Sequence, residues 1–414
     1  MSREPFSPKP DVVVVGGGPA GASTAFALAR AGVRVLVLDR ATFPRPKPCA
    51  EYLSPQASRL LHQMGALDAV ERAGAAHLAG MTVRAPNGAL IRGDFVATHG
   101  YSAFRDRGLA LRRTRLDPIL LDCARRAGAD VREHTRVADV LRDGRGRAIG
   151  VRVLHADGGS EDIRARLVVG ADGLRSVVGS RLDLSRRRRW PRRLALVAHY
   201  ELFGDVTAWG EMHVERDVGY VGLAAVEDGL TNVAMVVPAS AASLVSADRT
   251  AFFERWLRER PQLAPRVAGA RRVTPVIATG PFASHARHAW APGAALVGDA
   301  ADFFDPFTGE GIYAALRGGE LLAPFALQAL GADAAGADAA LAAYDRARTA
   351  EFSGKWLVER LISSAVGFAP AINYFARTLE ARKDMADLLV GVTGDFVPAR
   401  EVLRPGYLLN LFRP

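Results

Sequence analysis

Asp11 to Arg40 reads DVVVVGGGPAGASTAFALARAGVRVLVLDR, and this stretch decides the fold. Four consecutive valines, Val12 to Val15, suit a short strand buried on both faces of a parallel sheet. Gly16, Gly18 and Gly21 follow as G-x-G-x-x-G, directly before an apolar-periodic helix expected from about Pro19 to Ala31. Gly32 ends that helix, and a second strand runs from Val33 to Leu38. Gly16 permits the tight turn, Gly18 lets backbone approach a pyrophosphate, and Gly21 allows close helix–strand packing. The helix start at Pro19 and Ala20 turns a positive dipole end toward phosphate. Asp39, followed by Arg40, stands where an acid accepts from a ribose hydroxyl. Strand, glycines, helix, strand and acid in register predict a dinucleotide-type cradle.

With 414 residues the chain buries a large core and is expected to divide into lobes. A hydrophobic share of 49% and a charged share of 24% describe an ordinary globular protein. The net charge of +10 rests almost wholly on arginine, since the lysines are only Lys9, Lys47, Lys355 and Lys383. No zinc-finger spacing or aromatic RNA-binding signature accompanies it, so no nucleic-acid partner is expected. Cys49 and Cys123 are the only cysteines, which fits a reducing compartment. No secretory leader and no long apolar run are visible, so a cytoplasmic protein without a membrane span is expected.

Prolines 44, 46 and 48 keep the segment after Asp39 extended, which places Arg45, Lys47 and Cys49 on a stiff loop beside the cradle. Ser54-Pro55 reads as a helix cap and first helical residue. Residues 77–105 read as a hairpin turning at Pro86-Asn87-Gly88, and a helix is expected from about Leu116 to Ala127. The glycines of Arg142 to Gly150 lie between strand patterns and predict a hairpin turn. Leu167 to Gly173 repeats the buried-strand pattern and ends in Asp172-Gly173. Arg186 to Arg193, RRRRWPRR, marks a lobe boundary and reads as a solvated basic loop or a patch for an anionic partner. Strand-like segments fill 194–240 and 270–282, Ala294 to Asp299 is a third buried strand, and the pattern from about 336 onward is helical. The apolar stripe Trp356, Leu357, Leu361 and Ile362 reads as core, with membrane contact the rival reading.

Three separated motifs resemble one superfamily, the FAD-dependent oxidoreductases that include aromatic-ring hydroxylases and geranylgeranyl reductases. They are GGGPAG at the start, GADGLRSVVG from Gly170 to Gly179, and LVGDAADFFDPFTGEGI from Leu296 to Ile312. The resemblance implies a Rossmann-like three-layer α/β FAD-binding domain of the glutathione-reductase type. An antiparallel sheet for substrate interrupts it, and C-terminal helices close the chain. The expected division is 1–76, 106–185 and 283–335 for FAD, 77–105 and 186–282 for the sheet, and 336–414 for the helices.

By the same resemblance, Asp172 and Gly173 lie near the pyrophosphate, and Gly298 and Asp299 meet the ribityl chain. Arg113 contacts the cofactor, and the backbone of Val137 meets adenine. Thr308, Gly309, Glu310, Gly311 and Ile312 face the flavin edge, with Pro306, Gly309 and Gly311 counted as catalytic positions. A free helix start there stabilises negative charge on the reduced ring. For Glu310 and Arg317 a solvated, salt-bridging face is the simpler expectation.

PRPKPCAEYLSP and PFTGEGI are similar to the reductase branch, which puts Cys49 near the flavin ring, with Lys47 beside it on the loop as a cofactor contact. Cys49 is then either a proton relay or a small buried group. Ala50 in place of a glycine, and GYVGLAAV at 219–226 in place of an aromatic-rich stretch, depart from that branch. A monooxygenase using NAD(P)H and O2 on an apolar aromatic or polyketide-type molecule is therefore ranked first, and a reductase of isoprenoid C=C bonds second. A non-catalytic flavin carrier is the reading of another class. No second dinucleotide cradle appears, so NAD(P)H would bind transiently or an external reductase would serve. Candidate substrate contacts are His199, Trp209, Met212, Tyr220 and Asn232, with Tyr200 and His213 beside them. No metal site is expected.

Overall fold

The computed structural model describes residues 9–155, 158–187, 192–217, 219–282 and 284–412. The valine run forms the strand Val12–Val15, buried along its whole length. It pairs in parallel with Val35–Leu38 on one side and Leu167–Gly170 on the other, Val12 standing opposite both Val35 and Leu167. Among the described residues this sheet has six strands, completed by Ala294–Leu296, Trp290–Ala291 and Asp130–Arg132. Its second strand starts two residues later than the sequence predicts because Val33 donates back to Leu28 O at 3.1 Å, closing the helix end. Gly32, at φ +83°, makes that left-handed closure. The carboxyl ends of the parallel strands carry Gly16, Asp172 and Asp299 to one edge, where open α/β sheets bind ligands.

The helix Pro19–Arg30 lies against Gly311–Gly331, and both are thinned for close approach. Ser23 Oγ donates to Leu316 O at 2.7 Å. A Cβ on Gly319 would stand 2.6 Å from Thr24 N. A further helix runs Arg113–Arg126, beginning three residues before its expected start at Leu116. Its first turn is capped from outside: Arg113 N–H donates to Glu51 Oε1 at 3.0 Å and Arg112 N–H to Glu227 Oε2 at 3.0 Å. Two distant carboxylates at a helix start are favourable, and local sequence does not reveal them. Ser54-Pro55 also departs from expectation. The helix there is Ala57–Gln63, with Ser54 Oγ accepting from Ala57 N–H at 3.2 Å.

A second sheet, eight-stranded among the described residues, stands beyond the first. Arg193–Glu201, Thr231–Pro238, Tyr220–Ala225 and Gly210–Val214 run antiparallel in that order. Gly80–Arg84 then joins in parallel, bringing its hairpin partner Leu90–Asp94 from far upstream. Side-chain size alternates with the pleat. Leu196, Tyr200, Val221, Leu223, Val233 and Met235 pack beneath Phe252, Phe253, Trp256 and Leu257 of the helix Arg249–Arg258. The opposite face offers Ala195, Val197, Gly222, Ala224, Ala234 and Val236 to a cavity.

Two expectations need correction. Arg193, the last residue of the basic run, is not solvated: it is 4% exposed and its Nη1 meets Asp305 Oδ2 at 2.5 Å. Residues 188–191 of that run, and the lobe boundary placed there, lie outside the described residues. The stripe read as core also splits. Leu357 and Leu361 are 43% and 50% exposed, while Trp356 turns to the cavity. The long helix carrying them is Ala334–Val366, and a separate helix, Ala369–Glu380, follows. Among the described residues no helix is long and apolar enough to cross a membrane.

Candidate functional site

A cavity of about 820 Å³ runs between the parallel-strand ends and the second sheet. At its first end lies the glycine turn. Gly16 has φ +104°, and a Cβ there would meet Ala171 O at 2.4 Å. Gly21 faces away from the cavity: its Cβ would stand 1.8 Å from Gly16 O, which is the packing role its spacing predicts. Gly18 is bordered by two guanidinium groups, Arg45 Nη2 at 3.6 Å and Arg113 Nη2 at 3.7 Å from where its Cβ would be. Arg113 is buried and held by Asp117 at 2.6 and 2.9 Å, so a solvated arginine is ruled out. Arg45, which the sequence reading set on the loop without a role, lies 3.6 Å from Asp117 and 3.9 Å from Asp39. Two cations beside bare backbone form an anion seat suited to a pyrophosphate.

Asp39 accepts from Gly17 N–H at 2.7 Å and from Ala41 N–H at 2.8 Å, which fixes its carboxylate at the cavity wall. Arg40 and Val137 line the same end. Asp172 Oδ2 accepts from Val177 N–H at 2.6 Å, while its buried Oδ1 has no partner among the described residues. Burial raises the Asp172 carboxyl above its ordinary range, against the pull of Ser176 and nearby backbone N–H groups. An acid in this state wants a donor such as a ligand hydroxyl. Asp299 pairs with Lys47 at 3.3 Å, one residue after Gly298, and all three line the cavity.

The segment Asp305 to Ile312 forms the next wall. Asp305 accepts from Phe307 N–H at 3.1 Å and Tyr220 OH at 2.6 Å, besides Arg193. Gly309 is left-handed at φ +75°, and a Cβ there would stand 2.8 Å from Tyr52 Cδ1. The helix starting at Gly311 carries no side-chain cap, so its N–H groups remain available. Pro306, Thr308, Glu310 and Ile312 line the cavity with them. Glu310 is not on a solvated face. Burial pushes its carboxyl well above the ordinary range, although Lys355 pulls the other way. Arg317 does form a bridging face, at 2.6 Å from Glu320 and 2.9 Å from Glu351.

Cys49 sits where cradle and second sheet meet: Asn232 Nδ2 donates to Cys49 O at 3.0 Å, and Glu51 N–H donates to Cys49 Sγ at 3.2 Å. Burial raises its thiol above the usual value, Arg113 pulling the other way, so the group is an S–H at neutral pH. Glu51, in the left-handed region at φ +61°, is almost wholly buried and gathers His199 Nε2 at 2.7 Å and Asn232 Nδ2 at 2.9 Å.

Of the candidate substrate contacts, Met212, Tyr220 and Asn232 line the cavity. His199 does not; its ring is engaged by Glu51, which reaches the cavity in its place. Trp209 lies outside altogether, with Nε1 donating to Asp94 at 2.7 Å and Arg92 stacked 3.9 Å from its ring. Tyr200 points to the opposite face and stacks on Phe253, and His213 Nε2 lies 3.0 Å from Glu211. Sequence reasoning missed the contribution of the long helix, whose Arg348, Phe352, Lys355, Trp356 and Glu359 recur at helical spacing along the cavity. The only available signal was a lysine and a glutamate flanking Trp356. Lys355 pairs with Asp395 and lies 4.6 Å from the Tyr313 ring centre. Burial would lower its pKa, but Asp395 and Glu310 hold it charged.

Parallel-strand cradle, double-arginine seat and roofing sheet together define an FAD-dependent oxidoreductase. The chain belongs to the FAD binding domain family, which matches residues 9–353. It is similar to digeranylgeranylglycerophospholipid reductase 2 of Methanopyrus kandleri, 30% identical over 393 residues, which cover 94% of this chain and 93% of that one. It is also similar to aklavinone 12-hydroxylase of Streptomyces purpurascens, 36% identical over 196 residues, covering 42% of this chain and 35% of that one. Among solved structures, the myxobacterial chondrochloren halogenase superposes with a TM-score of 0.77 at 26% identity, covering 98% of this chain and 97% of that one. The cradle fits the cofactor of that family: Gly16 and Gly21 leave no room for a Cβ, and Asp172 Oδ1 stands unpaired among the described residues.

Proposed function

We propose that the protein reduces a carbon–carbon double bond of an apolar, isoprenoid-type molecule. The observation that carries this reading is the position of the Cys49 thiol on the cavity wall, at the seam between cradle and sheet, where burial favours its S–H form. FAD, when bound, supplies the two-electron chemistry. This chain supplies the seat: Arg45, Arg113 and the glycine turn for pyrophosphate, and Asp39, Asp172 and Asp299 for hydroxyl groups. The small-residue floor keeps water from the guest, and Cys49 Sγ holds the proton that a saturating addition needs. The near-full-length likeness to a reductase supports the same choice, so the order of the two readings from sequence is reversed here.

The test is anaerobic. Dithionite-reduced holoenzyme with a geranylgeranyl lipid should give product heavier by pairs of hydrogens. Absence of any such product overturns the reading. The partial likeness to a hydroxylase, together with the small residues on the sheet face, favours the monooxygenase as second reading. Substrate-triggered NAD(P)H oxidation with oxygen uptake would establish it instead.

A further inference from the structure

The inner end of the cavity holds a carboxyl group that forms no ion pair among the described residues. Glu359 lies on the long helix one turn after Lys355, beside the aromatic walls of Phe304 and Trp356. Its Oε1 accepts from Asp305 N–H at 3.1 Å. Every neighbouring cation is engaged elsewhere. Arg193 is on Asp305, and Arg348 is on Asp302, which also takes His285 at 2.5 Å. Lys355 is on Asp395. Arg360 donates to Trp356 O at 3.0 Å and lies over the Phe304 ring. Tyr220 OH and Ser363 Oγ both donate to Asp305. Among the described residues Glu359 therefore has no ion-pair partner; the carboxylates of Asp302, Asp305 and Glu310 act on it, and Arg360 is the charge that pulls the other way.

We infer that Glu359 donates a hydrogen bond to a neutral oxygen of the substrate, so that the guest carries a carbonyl or hydroxyl at its inner end and no phosphate or carboxylate. This deepens the reductase reading and rests on it. A carboxyl beside two anionic neighbours in an apolar wall keeps its proton near neutrality, and burial raises it to about 8. A neutral acid is a donor, and a site built around a donor rejects the analogue that lacks the acceptor. Each neighbouring cation already holds a carboxylate or a carbonyl, so none is left to receive an anionic head. The aromatic and small-residue walls accept the rest of the guest.

The test is calorimetry on oxidised, FAD-loaded protein with 1,4-naphthoquinone, naphthalene and 2-naphthoate. Near neutral pH the quinone should bind about tenfold tighter than naphthalene, and the carboxylate no tighter than naphthalene. Glu359→Gln should keep the preference through its amide N–H, and Glu359→Leu should abolish it. The wild-type preference should fade by about pH 10 as the carboxyl ionises. Equal affinity for quinone and naphthalene, a preference surviving in Glu359→Leu or at high pH, loss of it in a folded Glu359→Gln, or tight carboxylate binding would each overturn the inference. A protein that saturates double bonds yet shows no preference loses this inference alone, whereas one that saturates none loses the reductase reading.

Discussion

His199 Nε2 lies 2.7 Å from Glu51 Oε2, joining a strand of the roofing sheet to the loop that follows the cofactor cradle. Through its other oxygen, Glu51 caps the helix that begins at Arg113. One buried carboxylate thus ties substrate sheet, cysteine loop and anion seat together.

Removing that carboxylate should be costly. Glu51→Ala strands the Arg113 N–H, the His199 ring and the Asn232 amide in a dry site, at about 3 kcal/mol in all. Thermal unfolding of the holoprotein should report the loss, and FAD should dissociate more readily because Arg113 shifts. An unchanged melting temperature would count against the network.

Gly21→Ala should prevent FAD retention while Gly144→Ala leaves it intact. The first puts a methyl 1.8 Å from Gly16 O, and the second meets nothing within 4 Å. Flavin absorbance of the two purified variants makes the comparison.

Asp299→Ala should lower FAD affinity by about tenfold, the order expected when a charge-assisted hydrogen bond is lost. It also releases Lys47, whose only ion-pair partner among the described residues is Asp299. Equilibrium flavin fluorescence measures the change. Affinity equal to wild type would remove Asp299 from the seat.

Glu359 gives stability a pH dependence of known sign. Its folded-state pKa, about 8, lies above the ordinary 4.5. Its contribution is fully present below about pH 4.5 and is lost as pH rises toward 8, because the unfolded chain sheds the proton first. Glu359→Gln has no such proton, so its melting temperature should gain on wild type between those limits. Parallel curves for the two proteins would show that the carboxyl ionises normally.

The cradle was legible because its signals are local. Gly16, Gly18, Asp39, Asp172 and Asp299 follow from spacing and resemblance, and all of them line the cavity. Glu51 was hidden because its partners come from 62 and 148 residues away. His199 and Trp209 looked like roof contacts because sequence shows which residues sit on strands, not what stands between them and the cavity. Glu359 and Lys355 were invisible for a related reason: the helix bearing them reads as an ordinary apolar stripe until the cavity shows which turn faces inward. The burial of Arg193 escaped notice because a run of arginines reads as solvent-facing, and only the fold sets Asp305 beside its last member.

The pleat of the second sheet separates two tasks. One face seals against a helix with bulky side chains, and the other meets the guest over much of its area with methyl groups and the bare α-carbons of Gly210 and Gly222. Chamber depth can therefore be retuned one methylene at a time, at Ala195, Ala234 or Gly222, while the sealing face keeps every contact that holds the sheet in place. Catalysts of this architecture can drift from guest to guest by trimming or growing that inner lining, with the redox apparatus left as it was.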